Sequence, residues 1–366
     1  MLWEHDVASS SLAIPTKIEF MHFNQVVIDS IAYVLPEERW TSERIEQVLA
    51  TVYQRLHLQP GRLELMTGIR ERRHWSPELL PSEAATKAGE ALLKKTDCPR
   101  DRIDGLIYAS VCRDRLEPAT ASYVHKNLGL SPHAHCFDLS NACLGVLNAC
   151  VVGASMIETN IARSVLIVSG ENGRPLLDNT LKTLLNDPNL TRSSIKPYFA
   201  NFTIGSGAVA ILLRNRHDVS SPKPLLLGGI VHTDSQASNL CEGQAVPGGL
   251  AMQTDSTTLL ESGIRLSKTA WSNFQSEMNW DASTPQCIIT HQVGSQHQKK
   301  IYEALSLPMD KDVSTFSFLG NTGSVALPIS LGYAVETQRI HANDKVLLLG
   351  IGSGLNTLML GILWQN

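Results

Sequence analysis

"HCFDLSNACLGVLNACVVGASMIETNIARSVLIVSG" (135–170) reads as a strand, a corner, a helix and a second strand in one run. The middle of it, from Asn141 to Glu158, is apolar nearly all round, which predicts a helix buried on every side rather than one with a wet face. Cys143 stands where the first strand hands over to that helix. The first turn of a helix leaves N–H groups unpaired and carries the positive end of the dipole. A thiol there is expected to have a lowered pKa and more thiolate at neutral pH. The same N–H groups suit an oxyanion once the sulfur is acylated.

The run has an echo in the second half of the chain. "GLIYASV" (105–111), "HCFDLSNAC" (135–143), an apolar helix to about Asn160 and "SVLIVSG" (164–170) are matched in order by "QCIITHQ" (286–292), "DVSTFSFLGNTG" (312–323), a helix from Ser324 to about Glu336 and "KVLLLGIGSG" (345–354). Strands alternating with helices argue for α/β layers. The matched order argues for two copies of one unit around a pseudo-twofold axis. In that arrangement Asn321 takes the same corner as Cys143, and His291 ends a strand in the half that holds Asn321. Earlier, 24–36 reads as a strand pair, and 41–56 and 81–96 read as helices. Between the halves, 174–201 is long, partly helical and rich in turn residues, as functional caps and interface loops are.

Composition sets the limits. The chain has 366 residues, 18% charged and 43% apolar, with a net charge of −4. This is an ordinary globular balance, enough for two domains or one fused core. It lacks the clustered basic face of a nucleic-acid binder. No apolar stretch is long and uncharged enough to span a membrane. Residues 1–20 have neither a basic start nor a sustained apolar run, and are read as a loose leader, not a signal peptide. Seven cysteines, an odd number with no C-x-x-C pair, favour reduced thiols and a cytoplasmic protein. His133, His135 and Cys136 lack metal-ligand spacing, so no metal is assigned. "GIGSGLN" (350–356) has no βα unit after it and is no dinucleotide loop; its glycines suit a close backbone approach.

A cysteine taken alone is more often a small buried hydrophobe than a nucleophile. Cys98, Cys112, Cys136, Cys150, Cys241 and Cys287 are given that reading. Cys143 is set apart by "IITHQVG", which places His291 just past a strand, and by "FLGNTGSVALP", which places Asn321 in a glycine-flanked corner. Cys with His and Asn elsewhere in the chain is a nucleophile set. In a protease-like triad His is the base and Asn orients it. In a condensing enzyme, neutral His and Asn donate to an enolate oxygen.

At this point the chain resembles the thiolase superfamily, and within it the 3-oxoacyl-acyl-carrier-protein synthase III branch. The resemblance is carried in order by "TGIRERR" (67–73), "NAC" (141–143), "HQVG" (291–294), "GNTGSVALP" (320–328) and "GIGSGLN" (350–356). It implies a five-layered αβαβα fold from two duplicated halves, 21–200 and 201–366, an obligate homodimer, and a Cys143–His291–Asn321 triad. Within that branch the chain is most similar to the olefin-pathway acyl-CoA condensing enzymes, through "CRDRLEPATASYVHKNLGL" (112–130) and "NLCEG" (239–243). There the resemblance makes Glu117 the base that deprotonates the second acyl chain, from across the dimer.

The resemblance implies a non-decarboxylative Claisen condensation of two fatty acyl-CoA thioesters to a β-keto acid, with the backbone N–H groups of Cys143 and Gly354 as oxyanion hole. CoA thioesters enter as substrates, with no separate cofactor. Arg70, Arg72 and Arg73, in a charge run that is otherwise a solvated face, are assigned to a CoA phosphate. Two alternatives stand: decarboxylative condensation with a malonyl group on an acyl carrier protein, and acyl transfer to an oxygen or nitrogen acceptor. "GRLELM" (61–66) departs from the initiating synthases, having no Trp and Met66 in place of their Arg. Leu144 replaces a residue that is often small there, which reshapes the acyl pocket.

Overall fold

The computed structural model describes residues 20–246 and 249–365. Residues 1–19, most of the expected leader, lie outside them, but Phe20 already belongs to a strand. Along the chain run β1 (Phe20–His22), β2 (Val26–Val34), β3 (Glu38–Thr41), α1 (Ser42–Val48), α2 (Ala50–Arg55), α3 (Arg62–Thr67), β4 (Glu71–His74) and α4 (Pro81–Leu93). Then come β5 (Gly105–Ala109), α5 (Thr120–Leu128), β6 (His135–Leu139), α6 (Gly145–Glu158), β7 (Ser164–Glu171), α7 (Arg174–Asn186) and β8 (Gly207–Asn215). The rest comprises β9 (Leu225–Thr233), β10 (Cys241–Val246), β11 (Gly249–Thr254), α8 (Ser256–Met278), β12 (Cys287–Thr290), α9 (Ser295–Leu305), α10 (Phe316–Leu319), α11 (Ala326–Glu336), β13 (Lys345–Gly352) and β14 (Asn356–Leu363).

The expected strand pair at 24–36 is one strand, β2, with a register shift between Ile28 and Ser30. The expected helix at 41–56 breaks at Leu49 into α1 and α2. No helix among the described residues is long and apolar enough to cross a membrane.

The main sheet runs β12-β13-β14-β9-β2-β8-β7-β5-β6, with β1 also on β9. β5 is parallel to β6 and β7, while β7–β8 and β8–β2 are antiparallel. β12 is parallel to β13, while β13–β14 and β14–β9 are antiparallel. Asp312 adds an isolated parallel bridge to Ile288 at the outer edge of β12, where β6 stands beside β5 in the other half. Each half thus repeats one strand order, and the two join at Val27↔Leu225. Because β8 lies between β7 and β2, the first half extends to Asn215, beyond the division at 200/201 expected from sequence.

Strand alternation sorts the apolar residues into layers. On β5, β7 and β8, Leu106, Tyr108, Leu166, Val168, Ala208, Ala210 and Leu212 face α4 and α5. Their neighbours Ile107, Ala109, Val165, Ile167, Val209, Ile211 and Leu213 face inward, with α6 and α11. From the second half, Val346, Leu348, Leu358 and Leu360 reach the same central cluster, while Leu347, Leu349 and Met359 pack outward on α8 and α9. The result is five layers, helices–sheet–helices–sheet–helices. It explains why α6 and α11 lack a polar face: each has sheet on both sides.

A core this continuous should be sensitive to truncation. Ile167→Ala is expected to lower unfolding stability by about 2–5 kcal/mol in urea titration, because the fixed layers on either side cannot collapse into the void. Leu65→Ala, at a side chain that is mostly exposed, is expected to change it by less than about 0.5 kcal/mol.

Candidate active site

Cys143 sits in a tight corner between β6 and α6. Ala142, just before it, has φ +45°, a left-handed conformation that costs a residue with a Cβ energy. Two turn bonds hold it, Leu144 N–H to Asn141 O at 2.9 Å and Gly145 N–H to Ala142 O at 3.2 Å. The helix proper starts at Gly145 with Leu144 as its cap, so the sulfur stands just ahead of the first turn.

His291 stands at a strand end and Asn321 in a turn after α10, and each is tied to a strand that borders this corner. His291 follows β12 and donates its backbone N–H to Leu349 O on β13 at 3.0 Å. β13 ends at Gly352, where a Cβ would lie 3.4 Å from the Cys143 nitrogen. Gln292 accepts from Thr315 N–H at 2.7 Å and Phe316 N–H at 3.2 Å, tying this strand end to the segment that leads to Asn321. The Asn321 turn meets the Cys143 corner at the end of β5. The Ser324 hydroxyl oxygen lies 3.2 Å from Ala109 O, and a Cβ on Gly145 would lie 3.5 Å from the Ala109 carbonyl carbon. The Asn321 backbone is pinned on both sides, its N–H to Thr203 O and its O to Gly205 N–H, each 2.8 Å. Its Oδ1 accepts from Gly323 N–H at 3.0 Å, which fixes the amide orientation so that Nδ2 is the end that donates outward. Gly205 is required here, since a Cβ would stand 2.2 Å from Leu319 O.

The electrostatics reverse one expectation. The Cys143 thiol is not lowered but pushed up to about 12, by burial first and then by Cys241 and Glu171. Its own backbone N–H opposes this weakly. A helix terminus is worth about 0.3–1 kcal/mol, whereas full burial moves a pKa by up to about 3–5 units, so burial wins. Burial also pushes His291 down to about 3, with His297 adding to it. At neutral pH the pair is therefore thiol and neutral imidazole, and His291 Nδ1 is buried with no hydrogen-bond partner in the structure.

Several groups were not picked out from sequence. Asn356 Nδ2 donates to Asn141 Oδ1 at 3.3 Å, Asn141 Nδ2 to Asn148 Oδ1 at 2.9 Å, and Thr233 Oγ1 to Asn356 Oδ1 at 2.7 Å. This chain ties the residue two before Cys143 to the residue two after Gly354. Cys241, read as inert, is close enough to raise the Cys143 pKa; it opens a β10–β11 hairpin held by α7 and the segment after it, through Asn179 Nδ2 to Leu250 O at 2.9 Å and Asn201 Nδ2 to Met252 O at 3.1 Å. Thus part of 174–201 supports the hairpin that reaches the site. Glu171, at the end of β7, is buried and adds to the rise of the Cys143 pKa.

Two groups of assigned residues fare differently. Glu117 is exposed on the loop before α5, beside Leu116 at 96% exposure, and is not among the groups that perturb Cys143. Arg72 is fully buried, donating to Trp40 O at 3.1 Å and Ser42 Oγ at 3.0 Å, so its assignment to CoA phosphate is corrected to a structural one. β4 pairs with β3, and alternation turns Arg72 inward. Arg73 is half-buried and donates to Pro36 O at 3.2 Å, while Arg70 is exposed.

Comparison with known proteins supplies the context. Residues 137–223 match the model of 3-oxoacyl-[acyl-carrier-protein] synthase III, and residues 276–364 match the model of its C-terminal region. The chain is 36% identical to an acyl-CoA:acyl-CoA alkyltransferase of Shewanella oneidensis, over 94% of this chain and 100% of that one. It is 32% identical to another of that name from Xanthomonas campestris pv. campestris, with the same shares covered. A crystal structure of Xanthomonas campestris OleA with bound lauric acid and lauroyl-CoA superposes with a TM-score of 0.89 at 31% identity, covering 93% of this chain and 100% of that one.

Two outcomes test this geometry. Alkylation of Cys143 by iodoacetamide should be slow at pH 7 and rise about tenfold per pH unit up to at least pH 10, because only the thiolate reacts and it is a small fraction below a pKa of about 12. Asn141→Ala and Asn356→Ala should each slow acylation of Cys143 by about tenfold, with the double variant little worse than either, since both break one link; additive losses in single-turnover kinetics would argue against a shared link.

Proposed function

The chain belongs to the 3-oxoacyl-[acyl-carrier-protein] synthase III family of the thiolase superfamily, in the group of the acyl-CoA:acyl-CoA alkyltransferases, and we propose from this that it condenses two fatty acyl-CoA thioesters to a β-keto acid without decarboxylation. What supports the reading is the kinship with the acyl-CoA:acyl-CoA alkyltransferases together with a protonated Cys143 thiol, a neutral His291 and an orientation-locked Asn321 amide.

The first half-reaction needs a nucleophile and a proton acceptor. His291, neutral at working pH, takes the Cys143 proton as sulfur attacks the thioester carbonyl. The N–H groups of Cys143 and Gly354 receive the developing oxyanion. CoA leaves as the thiol with that proton, and the acyl-enzyme is uncharged. Burial, which opposes a free thiolate, does not oppose this product.

In the second half-reaction a second acyl-CoA binds with its thioester oxygen toward His291 and Asn321. A cationic imidazole is not needed, because N–H donors from neutral His and Asn suit an enolate in a dry site. The α-proton goes to a carboxylate, and we assign Glu117 of a partner subunit. Its exposure beside the fully projecting Leu116 supports a loop that leaves its own chain's site and enters a neighbour's. The carbanion attacks the Cys143 acyl carbon, the C–S bond breaks, and Cys143 regains its proton. Water then cleaves the β-ketoacyl-CoA, so two acyl-CoA and one water give one β-keto acid and two CoA. The protein acts in this reading as a cytoplasmic homodimer; its seven free cysteines fit a reducing compartment.

Purified protein incubated with a long-chain acyl-CoA alone should release CoA and yield a β-keto acid by mass spectrometry. CoA release that needs malonyl-carrier protein would instead support the decarboxylative reaction. Cys143→Ala should abolish both CoA release and product. Glu117→Gln should keep the burst of CoA from acylation yet lower condensation by about 100-fold or more, the scale of a lost general base; full condensation in that variant would remove Glu117 from the mechanism.

A further inference from the structure

Glu171 ends β7 at 4% exposure. Its Oε1 accepts from Val111 N–H at 2.8 Å, Ser324 N–H at 3.3 Å and Ser324 Oγ at 2.5 Å, and its Oε2 accepts from Cys112 N–H at 3.1 Å. The packing is close: a Cβ on Gly323 would lie 3.3 Å from the Glu171 carboxyl carbon. Two segments distant in sequence are thus held by one carboxylate. One is the root of the loop that carries Glu117. The other is the turn that follows Asn321.

Hydroxyls around it complete the clamp. Ser324 Oγ lies 2.9 Å from Ser169 Oγ, and Ser169 Oγ lies 2.9 Å from Ser110 Oγ. A buried carboxylate is costly unless its oxygens are satisfied, and here four donors do so. A role in fold stability alone would not require the donors to come from these two segments.

We propose that Glu171 is a positioning residue for the condensation step, holding the base-bearing loop and the enolate-binding turn as one body. The inference rests on the condensation reading above. In that reading Glu117 serves the neighbouring site and Asn321 its own, so the clamp joins the two sites of a dimer mechanically. Glu171 also acts on the nucleophile through space. Burial is the main reason that the thiols of Cys143 and Cys112 and the Tyr108 hydroxyl are raised; the Glu171 charge adds to it for all three, after Cys241 in the case of Cys143. The acyl-enzyme has no thiolate, so this repulsion acts on the resting enzyme and not on the second half-reaction.

The test compares Glu171→Gln, Glu171→Ala and Glu171→Asp with wild type in the full-length protein. Glu171→Gln keeps the shape of the side chain and guards against loss of fold in Glu171→Ala. Both should lower β-keto acid turnover by about tenfold or more while the CoA burst changes by less than about threefold, since the lost hydrogen bonds serve the second step. In both, the pH profile of Cys143 alkylation should move to lower pH, because a negative charge is gone. Glu171→Asp should retain the wild-type profile and part of the turnover. Burst and turnover falling by one common factor, unchanged turnover, or an unshifted alkylation profile would each overturn the assignment. The alkylation arm needs no substrate, so a wild-type protein that made no β-keto acid would overturn the functional reading without deciding the place of Glu171.

Discussion

Two helices in this molecule are packed between sheets. α6 and α11 lie between the half-sheets, and the central cluster draws on β5, β7 and β8 from one and β13 and β14 from the other. Being buried on both faces, each helix is held in position by two sheets at once. Its starting corner is therefore fixed relative to the strand ends around it. The Cys143 corner and the Asn321 turn both border Ala109, and the Cys143 corner and His291 both border the last residues of β13, at Gly352 and Leu349. The site is a consequence of where the central layer ends.

That depth also sets the chemistry. Here burial outweighs the helix dipole, so the thiol is held protonated and the imidazole neutral. A neutral pair is a poor resting nucleophile but a suitable partner for a reaction whose first product carries no charge on sulfur. In the proposed condensation it would leave His291 an N–H to donate to an enolate oxygen without being an acid.

Polar groups in such a place must be satisfied, and the way they are satisfied ties the site together. The Thr233–Asn356–Asn141–Asn148 chain links the nucleophile's corner to the Gly354 loop. Glu171 links the Val111–Cys112 segment to the far side of the Asn321 turn, at Ser324, through backbone N–H groups and the Ser324 hydroxyl. Arg72 meets the same constraint elsewhere: once alternation turned it inward, backbone and Ser42 oxygens became its partners and a solvent-facing role was closed to it.

The layered α/β class and most of the order of strands and helices were legible in the residues, as were the local features that set Cys143, His291 and Asn321 apart. Apolar periodicity and strand-end placement are local properties, and a helix apolar all round, as at 145–158, can only be buried. The sign of the Cys143 shift was not legible, because it depends on how much protein lies over the sulfur, which no local pattern encodes. The break at Leu49 and the inward turn of Arg72 depended on packing and strand pairing. Cys241, Glu171 and Asn356 were passed over because each reaches the site from a distant part of the chain: Asn356 bonds Asn141 across 215 positions and Glu171 bonds Ser324 across 153. Sequence determined which chemical groups the chain carries and which segments must be buried; tertiary structure alone decided which of those groups share one dry space, because burial and long-range hydrogen bonds are properties of the packed layers.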